Sequence, residues 1–162
     1  MRCLYPVTLA AAAAILFASQ GAAKPKPKAV PAATYLSAAE VVAARKAGMG
    51  LAATTFGSYK GAVEAGAEVK PLAFSSRQLM KFAAALPSLF PAGTAVAPSE
   101  AKPEIWTNRA DFEAKATAFA AATTRLNAAA QAGDKAAFAA AWKETGGTCK
   151  ACHDRYRAES AH

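Results

Sequence analysis

Two cysteines and a histidine in one short segment restrict the fold of this chain more than any other feature. The segment reads Cys149-Lys150-Ala151-Cys152-His153, and nine residues follow it in the 162-residue sequence. Such a Cys-x-x-Cys-His motif is the signature of c-type haem attachment. Two thiols at this spacing can reach both vinyl groups on one porphyrin edge, and the adjacent imidazole can turn onto the iron. We therefore expect one covalent haem c, with upstream helices building its opposite face.

Two other chemistries also use closely spaced cysteines. A thioredoxin-like redox pair needs a βαβ context, but no run of alternating β-branched residues predicts strands here. A structural zinc site needs about four ligands, and the best soft ligands outside the N-terminal segment are Cys149, Cys152, His153 and His162. Haem attachment is therefore the main interpretation, and a haem-free zinc or dithiol protein is the alternative.

The first 23 residues have the pattern of a cleaved signal peptide. A positive start at Arg2 precedes an apolar stretch over 4–18, and small residues at 21–23 suit a signal peptidase. We place the cleavage after residue 23, so Cys3 would leave with the signal; the alternative is an uncleaved membrane anchor. Residues 24–36 begin with alternating Lys and Pro, which predicts an extended, flexible leader. The mature chain is therefore expected in the periplasm.

The sequence is basic, with a formal net charge of +8 at pH 7. Nucleic acid is a common partner of basic proteins, but an exported chain meets little of it, so we expect no nucleic-acid partner. A positive field instead favours an acidic partner protein or an anionic membrane surface.

Alanine is abundant and helix-breaking residues occur at only a few places, which predicts long helices joined by short breaks. Ser37 and Glu40 form the pattern of a capping box, so the first helix begins there. A second helix is expected near Pro71, because proline suits a first helical turn. A third is expected at Pro103, and Asp134 is placed to be the N-cap of a fourth.

Apolar residues recur at spacings of three and four in these segments, as on one face of a helix in a bundle. Residues 37–162 are therefore predicted to form an all-α, antiparallel up-down four-helix bundle. Residues 87–102 are predicted to form a loop, and Gly146-Gly147 would let a flat cofactor approach the fourth helix. The predicted inward face of the third helix consists of Ile105, Phe112, Ala116, Phe119, Thr123, Leu126 and Ala130.

The order of these elements resembles the class II c-type cytochromes, the cytochrome c′ and cytochrome c-556 family. The likeness runs from about Val41 to Arg157. It rests on Arg-Lys-Ala-Gly-Met at 45–49, on Lys-Pro-Glu-Ile-Trp at 102–106, and on the motif segment at 149–157. Members of that family are four-helix bundles with the attachment motif near the C-terminus. Homodimers are common among them, so the resemblance allows a homodimer here.

The resemblance also implies roles for individual residues around the motif. Cys149 and Cys152 would form the thioethers, and His153 would be the axial ligand that makes the fifth iron bond. Arg157 lies one helical turn after His153, so the resemblance places it beside the proximal imidazole.

Upstream residues would complete the site. Arg45 would pair with a haem propionate, because a planar guanidinium can hold a carboxylate in two parallel hydrogen bonds. The alternative is an arginine that snorkels to solvent at the end of the bundle. Lys46 stands near the same propionate, where the family often has glutamine, and Glu100 matches a polar position at the haem edge. The aromatic residues that would line the pocket or simply pack in the core are Phe56, Phe112 and Trp106.

Met49 leaves two interpretations of the function open. A methionine at this spacing is the sixth iron ligand in low-spin relatives, whereas in five-coordinate cytochromes c′ the equivalent side chain only blocks the distal face. A His/Met haem suits electron transfer with a redox partner protein, while a five-coordinate haem leaves room for nitric oxide or carbon monoxide. No nucleophile or carboxylate pair points to catalysis, so an enzyme is not expected. The prediction is an electron carrier, with gas binding or sequestration as the alternative.

Overall fold

A computed structural model describes residues 36–159 of the chain. Within that range it contains no β-strand, and none of its helices is long and apolar enough to cross a membrane. The predicted signal peptide, nearly all of the predicted leader and His162 lie outside the described residues. The helices are α1 (Ala38–Glu64), α2 (Ala73–Ala85), α3 (Glu104–Thr107), α4 (Arg109–Ala132) and α5 (Lys135–Tyr156), with 3-10 turns at Lys70–Leu72 and Leu86–Leu89.

The four long helices close into one bundle. α4 packs against α2 and α5, and α1 packs against the same two helices from the other side. Each long helix therefore buries an apolar face against two neighbours, which is the arrangement of a four-helix bundle. The predicted all-α, antiparallel up-down bundle is confirmed.

The helix starts follow the local sequence closely. Ser37 and Glu40 form the predicted capping box, in which the Glu40 backbone donates to Ser37 Oγ at 3.3 Å and the Ser37 backbone donates to Glu40 Oε2 at 2.7 Å. Asp134 accepts a hydrogen bond from the Ala137 backbone at 2.9 Å and caps α5 as predicted. Gly133 ends α4 with a φ of 73°, a left-handed conformation that glycine adopts without strain.

The third helix differs from the prediction because it is interrupted. The chain turns at Asn108, where the backbone leaves the helical region, so the segment expected to be one helix is the short α3 followed by α4. The interruption does not disturb the predicted packing face. All seven of its residues are buried: Ile105, Phe112, Ala116, Phe119, Thr123, Leu126 and Ala130.

The end of α5 is tied to the loop that precedes α3. The Lys102 backbone donates to the Tyr156 carbonyl at 2.9 Å, and the Ala158 backbone donates to the Glu100 carbonyl at 2.8 Å. Because the Cys-x-x-Cys-His motif occupies the last two turns of α5, these bonds fix the motif relative to residues 100–102.

Gly146 lies close to an aromatic ring of α1. α5 runs through Gly146-Gly147 without a break, and a Cβ at Gly146 would lie 3.2 Å from Cζ of Phe56. The absence of a side chain at residue 146 therefore makes room for the Phe56 ring. A Cβ at Gly147 would meet nothing within 4 Å, and the approach of a flat cofactor to Gly146-Gly147 stays a prediction.

Candidate haem site

Two adjoining cavities lie between α1, α2, α4 and α5. The first, called here the apolar cavity, has a volume of about 180 Å³, and the second, the charged cavity, about 340 Å³. Together they fall within the roughly 300–1,000 Å³ that is usual for cofactor sites. The residues that line both are Met49, Ala53, Leu86, Cys152 and His153.

The motif residues lie at this shared wall. Cys149 and Cys152 are half-buried, and His153 is exposed. Burial raises the pKa of both thiols, although the nearby positive charge of Lys115 opposes the rise at Cys152. The pKa of His153 is lowered, first by the neighbouring atoms that exclude water and then by the charge of Arg157. These shifts favour neutral thiols and a neutral imidazole, and the neutral imidazole is the form that binds a metal.

The apolar cavity is enclosed almost wholly by hydrocarbon. Its polar lining consists of Lys115, Thr145 and Thr148, apart from the motif itself, and the hydroxyls of both threonines donate to carbonyls within α5. None of its lining residues is an aspartate or a glutamate. The apolar side chains come from α1, α2 and α4: Met49, Ala52, Ala53, Phe56, Leu79, Phe82, Leu86, Ala116 and Phe119.

The charged cavity carries most of the predicted polar site residues. Lys46 lines it and donates from Nζ to the Pro98 carbonyl at 3.1 Å. Glu100 and Arg157 line it as an ion pair, with 2.7 Å between Arg157 Nε and Glu100 Oε2. The structure therefore brings these three residues and Arg45 to the cavity that also contains His153.

Arg45 is buried, with only 3% of its surface exposed, which excludes the interpretation as a snorkelling side chain. Its guanidinium lies 4.3 Å from the centroid of the Phe90 ring. It donates to the Leu89 carbonyl at 3.2 Å, to Oγ1 and the carbonyl of Thr94 at 3.2 and 3.3 Å, and to Ser99 Oγ at 2.7 Å. Arg45 thus ties the loop over 87–102 to α1 at the edge of the charged cavity. Contact with a haem propionate stays a prediction.

The predicted aromatic residues occupy three different places. Phe56 lines the apolar cavity and stacks on Trp142, with 5.4 Å between the ring centroids. Phe112 is buried in the wall of the charged cavity, edge-on to Tyr156. Trp106 lines neither cavity; it packs against the core, and its Nε1 donates to the Pro91 carbonyl at 2.9 Å.

Several lining residues were not predicted as site residues, and Phe82 and Lys115 are two of them. Phe82 is an apolar residue on α2, and an apolar residue in a helix does not by itself distinguish core from pocket. Lys115 is a cation three residues after Phe112, next to the inward face of α4, and that position is the signal that could have identified it. The residues that accept hydrogen bonds from Arg45 lie in the loop over 87–102, where no regular spacing in the sequence could have predicted the contact.

The residues present fit a haem c. A haem is a flat apolar ring with two carboxylates on one edge. The apolar cavity suits the ring, and the adjoining charged cavity, which is lined by Arg45, Lys46 and Arg157, suits the carboxylates. Both thiols and the imidazole reach the apolar cavity, so the covalent and axial attachments would come from one side. Within residues 36–159, no group of three or more His, Cys, Asp or Glu could hold a metal ion by itself. His162, one of the four ligands named for the zinc alternative, lies outside that range.

Comparison with known proteins gives a consistent result. The family model described as Cytochrome C′ matches residues 40–157. A cytochrome c′ of Cereibacter sphaeroides is 38% identical over 138 residues, which cover 80% of this chain and 91% of that protein. A cytochrome c′ of Rubrivivax gelatinosus is 51% identical over 59 residues, 36% of this chain and 46% of that protein. The chain thus matches about half the length of several curated relatives.

Solved structures share the fold over nearly their whole length. A nitric oxide complex of a mutant cytochrome c prime from Alcaligenes xylosoxidans has a TM-score of 0.73 and 32% identity, covering 78% of this chain and 99% of that one. Cytochrome c′ from Rubrivivax gelatinosus has a TM-score of 0.71 and 32% identity, covering 76% of this chain and 98% of that one.

Proposed function

Because this chain belongs to the cytochrome c′ family of class II c-type cytochromes and carries one covalent haem c, we propose that it is an electron carrier. Cys149 and Cys152 would hold the haem through thioethers, and His153 would be its axial ligand. The bound haem supplies a one-electron redox couple. The proposal excludes an enzymatic role.

The position of the motif carries this proposal. The thiols line a cavity walled by hydrocarbon, while Ala151 and His153 on the same two turns of α5 are exposed. A cofactor attached here would be held in a medium of low polarity with its attached edge near the surface. That combination suits electron exchange with a partner protein. The absence of aspartate and glutamate from the apolar cavity's lining also leaves no carboxylate to move protons there.

The redox partner is proposed to be an acidic protein. Lys46 lies exposed at the charged cavity, and Lys150 within the motif segment is also exposed, with 76% of its side chain accessible. Cations near the proposed haem edge would steer a negatively charged surface toward it. The rate of electron exchange with an acidic partner should then fall as ionic strength rises, because salt screens exposed charges.

Gas binding or sequestration is the second candidate, and the apolar surroundings of Met49 favour it. A cavity whose walls are mostly hydrocarbon accepts a small uncharged molecule. Two of the similar structures, both of cytochrome c prime variants from Alcaligenes xylosoxidans, contain such a gas: one is a nitric oxide complex and the other has carbon monoxide bound.

Replacing Met49 with leucine separates the two candidates. For an electron carrier with Met49 as sixth ligand, we expect a low-spin wild-type spectrum that carbon monoxide hardly changes. Met49→Leu should then become high-spin and bind the gas, because leucine has no thioether to offer the iron. The measurement is the visible spectrum of the ferric and ferrous holoprotein, with and without carbon monoxide.

The matched control is Met80→Leu, since Met80 lies on α2, lines neither cavity and contacts Asn127. Its spectrum should equal that of the wild type. A wild type that is already high-spin and binds carbon monoxide as Met49→Leu does would contradict ligation by Met49. Gas binding would then be the better assignment.

Export to the periplasm is proposed from the N-terminal sequence. Signal peptidase should cleave after residue 23, because small residues precede that bond. The intact mass of the protein purified from the periplasmic fraction should correspond to residues 24–162 plus one haem. A retained N-terminal segment would contradict cleavage. Sedimentation of the same sample tests the homodimer that the family resemblance suggests.

A further inference from the structure

Tyr156 is a buried phenol one helical turn from the haem attachment point. It follows Cys152 by four residues on α5, so the two side chains lie on the same face of the helix. Both line the charged cavity together with His153. Only 3% of the Tyr156 surface is exposed, and its ring packs edge-on against Phe112 with 5.5 Å between the ring centroids. A haem attached to Cys152 would therefore share this cavity wall with the phenol.

The hydroxyl of Tyr156 is bonded to a carboxylate. Its Oη donates to Oδ2 of Asp111 at 2.5 Å, a distance within the range of hydrogen bonds from a hydroxyl to a charged oxygen. Burial raises the pKa of Tyr156, and the hydrogen bond to Asp111 raises it further. The phenol is therefore protonated at neutral pH, and an acceptor for its proton is already in place.

Tyr59 is the other tyrosine within residues 36–159, and its surroundings differ. It is also fully buried, but it lines neither cavity. Its Oη donates at 3.0 Å to the hydroxyl of Ser75, which in turn donates to the Leu72 carbonyl. A serine hydroxyl is not a base at neutral pH. In the described part of the chain, Tyr156 alone combines a place at the haem cavity with a carboxylate bonded to its hydroxyl.

This combination favours the loss of an electron from Tyr156. A phenol that loses an electron becomes a strong acid, so the loss is easier where a base within hydrogen-bond distance takes the proton at the same time. We propose that Tyr156 is a redox-active tyrosine that gives an electron to the haem site when a peroxide oxidises it, while its phenolic proton moves to Asp111. The inference rests on the covalent haem site and adds an activity that the electron-carrier proposal does not contain.

The electrons and protons of this reaction balance. Hydrogen peroxide takes up two electrons and two protons from its surroundings, its O–O bond breaks, and two molecules of water form. One electron comes from the haem group and the other from the Tyr156 ring. In the second step the phenolic O–H bond breaks, the electron passes to the haem site, and the proton moves from Oη to Oδ2 of Asp111. A neutral tyrosyl radical and a protonated carboxyl group remain.

The burial of Tyr156 gives this reaction a protective use. One of the two oxidising equivalents leaves the haem, whose ring is otherwise oxidised and bleached by peroxide. The radical that forms is enclosed by protein, because only 3% of Tyr156 is exposed. It is therefore shielded from coupling with a tyrosine of a second molecule.

The test treats the ferric holoprotein with hydrogen peroxide and records electron paramagnetic resonance spectra after rapid freezing. We expect a tyrosyl radical in the wild type, identified by the change in its spectrum when the tyrosines are ring-deuterated. Peptide mapping of spin-trapped protein should place the adduct on Tyr156. Tyr156→Phe should lose most of the tyrosyl signal, because phenylalanine keeps the ring but has no hydroxyl, and its haem should bleach several-fold faster.

Three further variants separate a redox role from a structural one. Tyr59→Phe removes a buried phenol that lines neither cavity, so the radical yield and the bleaching rate should equal those of the wild type. Asp111→Asn keeps an acceptor for the Tyr156 hydroxyl but cannot hold its proton, so the tyrosyl signal should fall. Asp111→Glu restores a carboxylate and should recover part of the signal. Where Tyr156→Phe does not fold, the position of the wild-type adduct and Asp111→Asn decide.

Any of four results would overturn the inference. They are the absence of a tyrosyl radical in the wild type, an adduct on Tyr59 in place of Tyr156, a tyrosyl signal of equal size in Tyr156→Phe, and a signal that Asp111→Asn leaves unchanged. The electron-carrier proposal is judged separately, by the carbon monoxide spectra of the wild type and Met49→Leu. A failure of one proposal is therefore distinguishable from a failure of the other.

Discussion

Covalent haem should be lost completely when Cys149 and Cys152 are both replaced by alanine. Each thiol would add across one vinyl group, with the sulfur bonding to one carbon and the hydrogen to the other, so the double variant has no atom to form either bond. The structure supports this role because both thiols line the apolar cavity and are half-buried. The measurement is haem staining after denaturing electrophoresis, with acid–acetone extraction of the same sample.

The chain contains a third cysteine that provides the matched control. Cys3 lies in the predicted signal peptide, so Cys3→Ala should leave covalent haem at the wild-type level. His153→Ala should keep the haem attached but change its visible spectrum, because the axial imidazole is gone while both thiols remain. Haem that survives denaturation in the double cysteine variant, or an unchanged spectrum in His153→Ala, would contradict these roles.

Replacing Arg45 with leucine should destabilise the folded protein by about 2 to 4 kcal/mol, since hydrogen bonds to charged groups and unsatisfied buried acceptors each contribute on that scale. The guanidinium donates to Leu89, Thr94 and Ser99, and leucine would remove these four hydrogen bonds, leaving Ser99 Oγ only the one from the Ala101 backbone. Contact with a haem propionate, the role that the resemblance implies for Arg45, predicts a larger effect on the haem potential than on the fold. The buried contacts add a stability effect to that expectation, measurable as the free energy of unfolding of the holoprotein in denaturant.

Arg45→Lys is the informative companion variant. Lysine keeps the charge but has one ammonium in place of a planar fork, so it cannot reach acceptors on both Thr94 and Ser99 in the same way. We expect Arg45→Lys to lower the free energy of unfolding by most of the amount that Arg45→Leu lowers it. If Arg45→Leu unfolds like the wild type while the haem potential shifts, Arg45 acts on the cofactor and its role in holding the loop is wrong.

Local sequence patterns predicted much of this fold because the signals they rest on are local. Ser37 and Asp134 cap helices by bonding to backbone groups three residues away, so nothing distant has to be known. The inward face of α4 follows from the 3.6-residue period, which puts Phe112, Ala116 and Phe119 on one side wherever the helix lies. The break at Asn108 had no such signal, because good helix formers follow it on the C-terminal side.

By itself, the sequence determined the chemistry of the attachment point and the kind of fold around it. The motif at 149–153 needs only its own spacing to identify a haem c, and helical periodicity needs only neighbouring residues. The tertiary structure decided everything that depends on which helices meet. It packed the Phe82 ring against the backbone at Gly48 and the Phe56 ring against Gly146. It also buried Arg45 against a loop that lies more than forty residues further along the chain. Such contacts join segments far apart in the chain, and their geometry exists only once the bundle has closed.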